Sequence, residues 1–571
     1  MSQKQKFFFV GIIALAIFFR FHLLTVLPGG LFPDEAANGL DINLMQSGNL
    51  QPFYERGNGR EALFFYMLWG FVEVFGKGHW QHHAVSATVG VLSVALCFLV
   101  TRRLMQTALP AKTGEELKGW ENRASNIALL ASFLMAVSSW HTVLSRTAFR
   151  ANLIPLFASL TFYFLLKTFQ EENPAKKYFD AFWTGMVFAL GFYSYIAFRI
   201  LVPVIMFLII WPWFANAFKD GLKRYWKHFC ILILAFSIFI WPLAKYFYTH
   251  PGSFVGRSGQ VSVFNPDLNQ GNLIGLVIEV AKLSLAAYFT QGDLNWRHNL
   301  SGFPFLSQLV SPFFGAALVS ITFLAVWYVF SPKKRASWWK YAVLAAWFWG
   351  MLLPVIATAE GIPHGLRSIG TIPPVFIITA LGLYKIGEWF WALHKKFNEF
   401  SPVFKTEKLL VDPELLLRNI VLRFFMKLTV ACFLAAVAVQ AYFGYFVFAA
   451  NSAENYYAFR SDLTPVSRYL KDRCKKASTY LVLDKFSVQT TDYLTSNNKG
   501  DFSNPCNVPY KQVDPENSWQ LSGLTSGDEV IFTQSSIYDI KKFKKYHPEA
   551  SLRLEIRNKF GQAAMAVYRF N

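Results

Sequence analysis

The sequence predicts a polytopic all-α membrane protein of about eleven spans with a small α/β domain at its C-terminus. Three observations predict it. Hydrophobic residues make up 54% of the 571-residue chain and Phe alone occurs 59 times, more apolar surface than a water-soluble domain keeps covered. The apolar residues gather into runs near the length of a bilayer core. Lys and Arg fall between alternate runs, which accounts for the net charge of +20 without a nucleic-acid partner.

The runs lie at roughly 7–27, 80–101, 124–143, 151–167, 179–195, 199–216, 229–247, 312–330, 340–357, 372–391 and 425–449. The basic loops hold Arg102, Arg103, Lys112, Lys118 and Arg123, then Lys176 and Lys177, then Lys219, Lys223, Arg224 and Lys227. Lys333, Lys334 and Arg335 follow, and lastly Lys395, Lys396, Lys405, Lys408, Arg418 and Arg423. The positive-inside rule assigns all of them to the cytoplasm. An odd number of spans then leaves residues 450–571 outside, in a multi-pass protein of the plasma or inner membrane. The first run follows Lys4 and Lys6, lacks a small-residue cleavage site and contains Arg20, so it reads as a retained signal anchor.

The chain thus divides into a membrane part, 1–449, and an extracytoplasmic α/β domain, 450–571. In the latter, Thr464-Pro465 marks a helix start, 478–485 and 528–534 read as strands, and 551–558 with 562–570 read as a closing hairpin. Cys97, Cys230 and Cys432 fall in apolar runs, where a thiol acts as a small hydrophobe. Cys474 and Cys506 are the pair in the outer domain and are expected to form a disulfide.

Two long outer loops interrupt the membrane part, 28–79 and 248–311, and loops of that length usually carry function. Within the first, 34–47 suits a short amphipathic helix after Pro33, and 61–76 suits an interfacial helix, as does 274–290 in the second. Asp34 and Glu35 open the first loop just after the first span. A carboxylate there suits a general base for a hydroxyl nucleophile, and its plainer role is first-turn helix capping. Arg60-Glu61 poses the same choice. Arg146, Arg150, Arg199, Arg297 and Arg367 are outer arginines that the charge rule does not explain. Guanidinium suits phosphate, and headgroup contact or local ion pairing is the alternative for each. Tyr193 and Tyr195 sit beside Arg199, where interfacial anchoring competes with ligand contact. His79, His82 and His83 have a spacing compatible with metal, but no partner carboxylate or thiol is evident nearby, so no metal ligands are assigned. Walker-type, His-Glu-x-x-His and Gly-x-Gly-x-x-Gly patterns do not occur, which removes support for ATP hydrolysis, zinc proteolysis and dinucleotide redox chemistry.

Six segments carry a resemblance. They are Phe-Pro-Asp-Glu-Ala at 32–36, Gly-Arg-Glu-Ala-Leu-Phe-Phe-Tyr at 59–66, Leu-Ser-Arg-Thr-Ala-Phe-Arg-Ala-Asn at 144–152 and Gly-Phe-Tyr-Ser-Tyr-Ile-Ala-Phe-Arg at 191–199. Gly-Asp-Leu-Asn-Trp-Arg-His-Asn-Leu-Ser-Gly-Phe-Pro at 292–304 and Ile-Pro-His-Gly-Leu-Arg-Ser-Ile-Gly at 362–370 complete the set. In this order, all on the predicted outer face, they resemble the GT-C superfamily of membrane glycosyltransferases, in its protein O-mannosyltransferase-like and aminoarabinose-transferase-like branch. The resemblance implies a sugar donor linked through phosphate to polyprenol or dolichol, with inversion at the anomeric carbon. It places Asp34 as the catalytic base or acceptor-positioning residue and Arg367 near the lipid phosphate. Glu35, Arg60, Glu61, Arg150, Tyr195, Arg199, Arg297, His298 and His364 are the further substrate-binding candidates. The His-Pro-Pro-Leu signature and trefoil repeats of protein O-mannosyltransferases are missing, so the acceptor stays open between protein, lipid and glycan. This scheme requires no cofactor, and a divalent cation bridging Asp34 and phosphate is compatible with it. The rival reading is a transporter or flippase for a lipid-linked saccharide, which would place ionisable residues at mid-membrane.

Overall fold

The computed structural model describes residues 1–106, 114–214, 221–255, 258–328, 335–399, 413–473, 478–496 and 509–571. Helices occupy all eleven apolar runs. α1 (Gln3–Phe21), α4 (His79–Gln106), α5 (Gly114–Ala136), α6 (Ser139–Arg146), α7 (Leu153–Gln170), α8 (Pro174–Gly191), α9 (Leu201–Phe214) and α10 (Gly221–Thr249) build the first part of a bundle. Helices Ser311–Trp327, Arg335–Ile356, Ile372–Glu399 and Pro413–Tyr442 complete it. Among the described residues, six helices are long and apolar enough to cross a membrane, or seven if the bent pair α5–α6 counts as one span. The shorter apolar helices, such as Ser311–Trp327, fall below that length. α4 packs on α5 and α7, and α8 lies between α7 and α10.

The run 124–143 is a bent pair instead of one straight span, with α5 and α6 meeting at 60°. Ser138 begins α6 by accepting the His141 N–H at 3.2 Å. The break strands the carbonyls that end α5, and Arg20 of α1 resolves the problem. Its guanidinium donates to the carbonyls of Ala136 and Met135, the latter at 3.0 Å, and lies 2.8 Å from His141 Nδ1. Helix ends buried in an apolar bundle need such donors. Arg146 does the same at the other end of α6. It is fully buried and donates to the carbonyls of Phe19, Arg20 and Leu27 and to the Tyr445 hydroxyl. Arg146 is therefore a pin between helices, not the substrate-facing arginine that its loop position suggested.

Loop 28–79 contains α2 (Pro33–Gln46) and α3 (Leu63–Phe75), as the sequence predicts, with the strand pair β1 (Phe53–Tyr54) and β2 (Arg60–Glu61) between them. Pro33 starts α2 because its fixed φ suits the first helical position and its missing N–H costs nothing there. The predicted interfacial segment 274–290 is the helix Leu273–Ala286.

Beyond residue 450 the chain forms a five-stranded sheet of order β4-β3-β5-β7-β6. β3 (Thr479–Val482) runs parallel to β4 (Lys511–Val513) and β5 (Glu529–Thr533), while β7 (Ala563–Phe570) is antiparallel to β5 and to β6 (Ala550–Arg557). Helices Leu463–Arg473 and Val488–Thr495 cover it. Helix Val488–Thr495 also packs on α2, where Tyr493 lies so close to Gly39 that a Cβ would come within 2.3 Å of its ring. Thr490 donates to the Leu31 carbonyl at 2.9 Å, and Ser461 to that of Pro28 at 2.8 Å. The sheet domain therefore buttresses the segment that carries Asp34.

Loops 28–79, 147–152, 292–304 and 358–371 meet this domain or each other at one end of the bundle. Pairs such as Arg123–Glu388 and Arg103–Gln170 gather at the other. Cys474 and Cys506 lie outside the described residues, as do Lys112, Lys219, Lys333, Lys334, Lys405 and Lys408.

Candidate active site

Asp34 and Glu35 are neighbours on the first turn of α2, yet helical geometry turns them in different directions. Glu35 points into the protein and is fully buried. Its Oε2 accepts the Phe32 N–H at 2.9 Å, its Oε1 accepts the Ala148 N–H at 2.6 Å, and His83 Nε2 lies 3.3 Å away. Burial pushes the carboxyl pKa up, but His83 and the two N–H donors outweigh it and hold it below the ordinary value. His83 is thereby committed to Glu35. Asp34 faces outward and is exposed, and among the described residues no hydrogen bond or ion pair holds its carboxylate.

Arg297 lies next to this free carboxylate. Its guanidinium stacks on Phe32, 3.4 Å from the ring centroid, and its Nε is buried with no hydrogen-bond partner among the described residues. Burial lowers its pKa, opposed by the fields of Asp34, Glu35 and Asp293. A half-buried guanidinium without an ion-pair partner is costly unless a ligand anion completes it.

Asp293, three residues after the Thr290 that ends loop helix Leu273–Ala286 and its following turn, organises the rest. Its Oδ1 accepts the Asn295 N–H at 2.8 Å, and its Oδ2 accepts the Gly365 N–H at 2.7 Å. His298 Nδ1 stands 2.9 Å and His364 Nδ1 3.9 Å from the same Oδ2, and the two imidazoles stack at 4.6 Å. Burial lowers the His298 pKa, and the hydrogen bond and charge of Asp293 oppose that shift. Arg367 donates to the Glu360 carbonyl at 2.7 Å and pairs with its carboxylate at 3.2 Å.

On the other side of Asp34, Arg60 is buried and fully engaged. It donates to the Arg56 carbonyl at 3.0 Å and to Asn38 Oδ1 at 3.0 Å, and pairs with Asp41 at 3.2 Å. Burial lowers its pKa to about 10. Glu61 receives Arg150 at 3.0 Å and Arg199 at 3.5 Å, and Arg150 also rests on the Tyr195 ring. Asp41, held by Arg56 and Arg60, lines a cavity of about 610 Å³ with Asn49, Gln51, Tyr54, Arg56 and Tyr246.

This arrangement sits on a known scaffold. ArnT from Cupriavidus metallidurans, bound to undecaprenyl phosphate, superposes over 98% of this chain and 97% of its own, with a TM-score of 0.53 at 13% sequence identity. Its apo state matches equally, with a TM-score of 0.53. The sequence model of the dolichyl-phosphate-mannose-protein mannosyltransferase family matches residues 117–252. The chain has the GT-C fold. It is accordingly a multi-pass membrane protein. The oligosaccharyltransferase of Archaeoglobus fulgidus is a more distant likeness, at 12% identity and a TM-score of 0.46 over 86% of this chain. No curated protein matches by sequence.

Within the GT-C frame the sequence candidates fall into two groups. Asp34, Arg297, His298, His364 and Arg367 lie near one another: Asp34 acts electrostatically on Arg297, Arg297 and Arg367 act on His298, and His364 stacks on His298. Glu61, Arg150, Arg199 and Tyr195 form one paired cluster, and the adjacent Arg60 is tied to Asp41 and Asn38. Glu61 is a strand residue clasping two arginines, not the first residue of an interfacial helix as expected. Sequence reasoning passed over Asp293, Asp41 and Arg56. Asp293 stands inside a quoted motif, and the Asp-x-Asn turn followed by His298 was the available signal. His83 stands beside the Glu35 carboxylate, but His79, His82 and His83 form no three-ligand cluster among the described residues; the one metal-type grouping among them is Asp293, His298 and His364.

Proposed function

We propose that this GT-C chain is a glycosyltransferase that moves a sugar from a polyprenyl- or dolichyl-phosphate donor to an acceptor hydroxyl. The observation that carries the reading is the exposed, unpaired Asp34 carboxylate beside the unpaired guanidinium of Arg297. One group suits the proton of a hydroxyl and the other suits a phosphate. The match of residues 117–252 to the dolichyl-phosphate-mannose-protein mannosyltransferase family, and the undecaprenyl phosphate in the ArnT structure, support a lipid-phosphate-linked donor.

In the proposed step the acceptor hydroxyl attacks the anomeric carbon as the bond from that carbon to the phosphate oxygen breaks. Asp34 takes the hydroxyl proton, and the electron pair leaves on phosphate. Arg297, with Arg367 and the His298–His364 pair behind it, stabilises the charge gathering there. A single displacement inverts the anomeric centre. The paired cluster of Glu61, Arg150, Arg199 and Tyr195, with the adjacent Arg60, shapes the wall beside Asp34. Buried Glu35 supports the turn. The step needs no cofactor, and a divalent cation is compatible with it. The basic loops support an orientation in which the site, the 450–571 domain and both long loops face outward from the plasma or inner membrane. The acceptor is a protein, lipid or glycan hydroxyl, and nucleic acid has no part.

The test is purified full-length protein in proteoliposomes with labelled polyprenyl-phosphate sugars and candidate acceptors. Release of polyprenyl phosphate with formation of an inverted glycoside supports the reading. Movement of intact donor between leaflets without any transfer would establish the flippase instead. Cysteine labelling of loops 28–79 and 395–423 from the same side of intact cells would overturn the orientation.

A further inference from the structure

Two loops far apart in sequence converge on one carboxylate. Asp293 and His298 come from the segment 292–304, and His364 from the segment 362–370. One ligand-capable atom from each lies within 4.8 Å of the other two. A tetrahedral ion with bonds of about 2.0–2.1 Å separates its ligand atoms by about 3.4 Å. The Asp293 Oδ2 distances of 2.9 Å to His298 and 3.9 Å to His364 straddle that edge, so modest ring rotations would equalise them. The carboxylate is already oriented by the Asn295 and Gly365 N–H groups, which is the support that metal-binding carboxylates usually have. Two imidazoles and one carboxylate are a donor set for a borderline-soft ion, and a poor one for Mg²⁺ or Ca²⁺, which favour oxygen.

We propose that Asp293, His298 and His364 hold a divalent ion of the Zn²⁺ type, leaving an open coordination position for an anionic oxygen. The surroundings choose the occupant of that position. The charges of Arg297 and Arg367 both reach this cluster, through Asp293 and His298 respectively. With a dication in place, Asp293, Asp34 and the Glu360 that pairs with Arg367 leave the cluster with excess positive charge, so a phosphate oxygen completes the site better than water. The metal stands independently of the glycosyltransferase reading; only the identification of the anion as the donor phosphate rests on it. The alternative is that the cluster is simply a hydrogen-bonded clasp between the two loops.

The experiment uses full-length protein in nanodiscs, stripped with a chelator and titrated with Zn²⁺ alone, followed by calorimetry and elemental analysis. One equivalent is expected, with its X-ray absorption fitted by two imidazole nitrogens and an oxygen. His298→Gln and His364→Gln should each weaken binding by about tenfold or more, the lower range for disturbing a metal site. Zn²⁺ should raise the melting temperature of wild type but not of the variants. His364 is somewhat more exposed than His298, so His364→Gln decides the matter if His298→Gln fails to fold. No Zn²⁺ binding by wild type, binding unchanged in the folded variants, or an absorption spectrum without imidazole would leave only the clasp. Inorganic phosphate should tighten Zn²⁺ binding; no effect would overturn the anion position while leaving the metal. Because no sugar donor is present, failure here is distinguishable from failure of the transferase reading.

Discussion

Two regions meet at the first turn of α2, and they treat charge in opposite ways. On the inner side, Glu35, Asp41 and Glu61 are each buried and each matched, by His83 and two N–H groups, by Arg56 and Arg60, and by Arg150 and Arg199. On the outer side, Asp34 and Arg297 are close enough to feel one another but make no ion pair. Buried ion pairs contribute little net stability over apolar packing, yet breaking one is expensive, so the matched region is rigid. That rigidity lets the unmatched pair stay apart. A carboxylate and a guanidinium free to touch would neutralise each other, and neither would be left for a substrate.

Glu35→Gln is the sharpest way to break the matched region. A carboxamide has one acceptor oxygen where Glu35 uses two, and its NH₂ would face an N–H. The expected loss is about 3–5 kcal/mol of stability, read as a fall in melting temperature, with a donor affinity that follows folding. The pH dependence has a definite sign. Because the folded pKa is below the ordinary 4.5, the contribution is fully present above that value and is lost as pH falls through the lower folded value. Thermal melts of Glu35→Gln and wild type should therefore converge in acid, and a constant gap from neutral pH down to strong acid would contradict the assignment.

On the unmatched side, Arg297→Ala should weaken donor binding by about 10–100-fold, in line with losing a charge-assisted contact to phosphate, and leave the melting temperature unchanged or raised. A large drop in melting temperature with normal donor affinity would make Arg297 structural. Arg367 is already partnered by Glu360, so Arg367→Lys should cost less, about threefold to tenfold in donor use, through loss of the planar fork. A larger cost than that of Arg297→Ala would reverse their proposed roles.

Much of this fold was legible from one-dimensional patterns. Pro33 marked the start of α2, apolar runs marked the helices, and the segments 551–558 and 562–570 marked the β6–β7 hairpin. The break between α5 and α6 was not legible, because its compensation comes from Arg20, more than a hundred residues away. The site divides in the same way. The motif order brought Asp34, Arg297, His298, His364 and Arg367 to one end of the bundle. Which acid was spent could not be read locally, since Glu35 is occupied by Ala148, 113 residues along the chain. Likewise Arg146 and Arg150 look alike in sequence, yet one holds helix ends together and the other clasps Glu61. Such partnerships depend on packing between distant segments, and no local spacing encodes them.

The account rests on Asp34 being reactive because it is unmatched. The most direct measurement is single-turnover transfer by Asp34→Asn at saturating polyprenyl-phosphate sugar, with donor affinity measured in parallel. Asn keeps the shape and removes the basicity. The expected result is normal folding and donor affinity with turnover lowered by about 100-fold or more, the scale of losing a general base. Turnover equal to wild type, or a loss confined to donor binding, would contradict it.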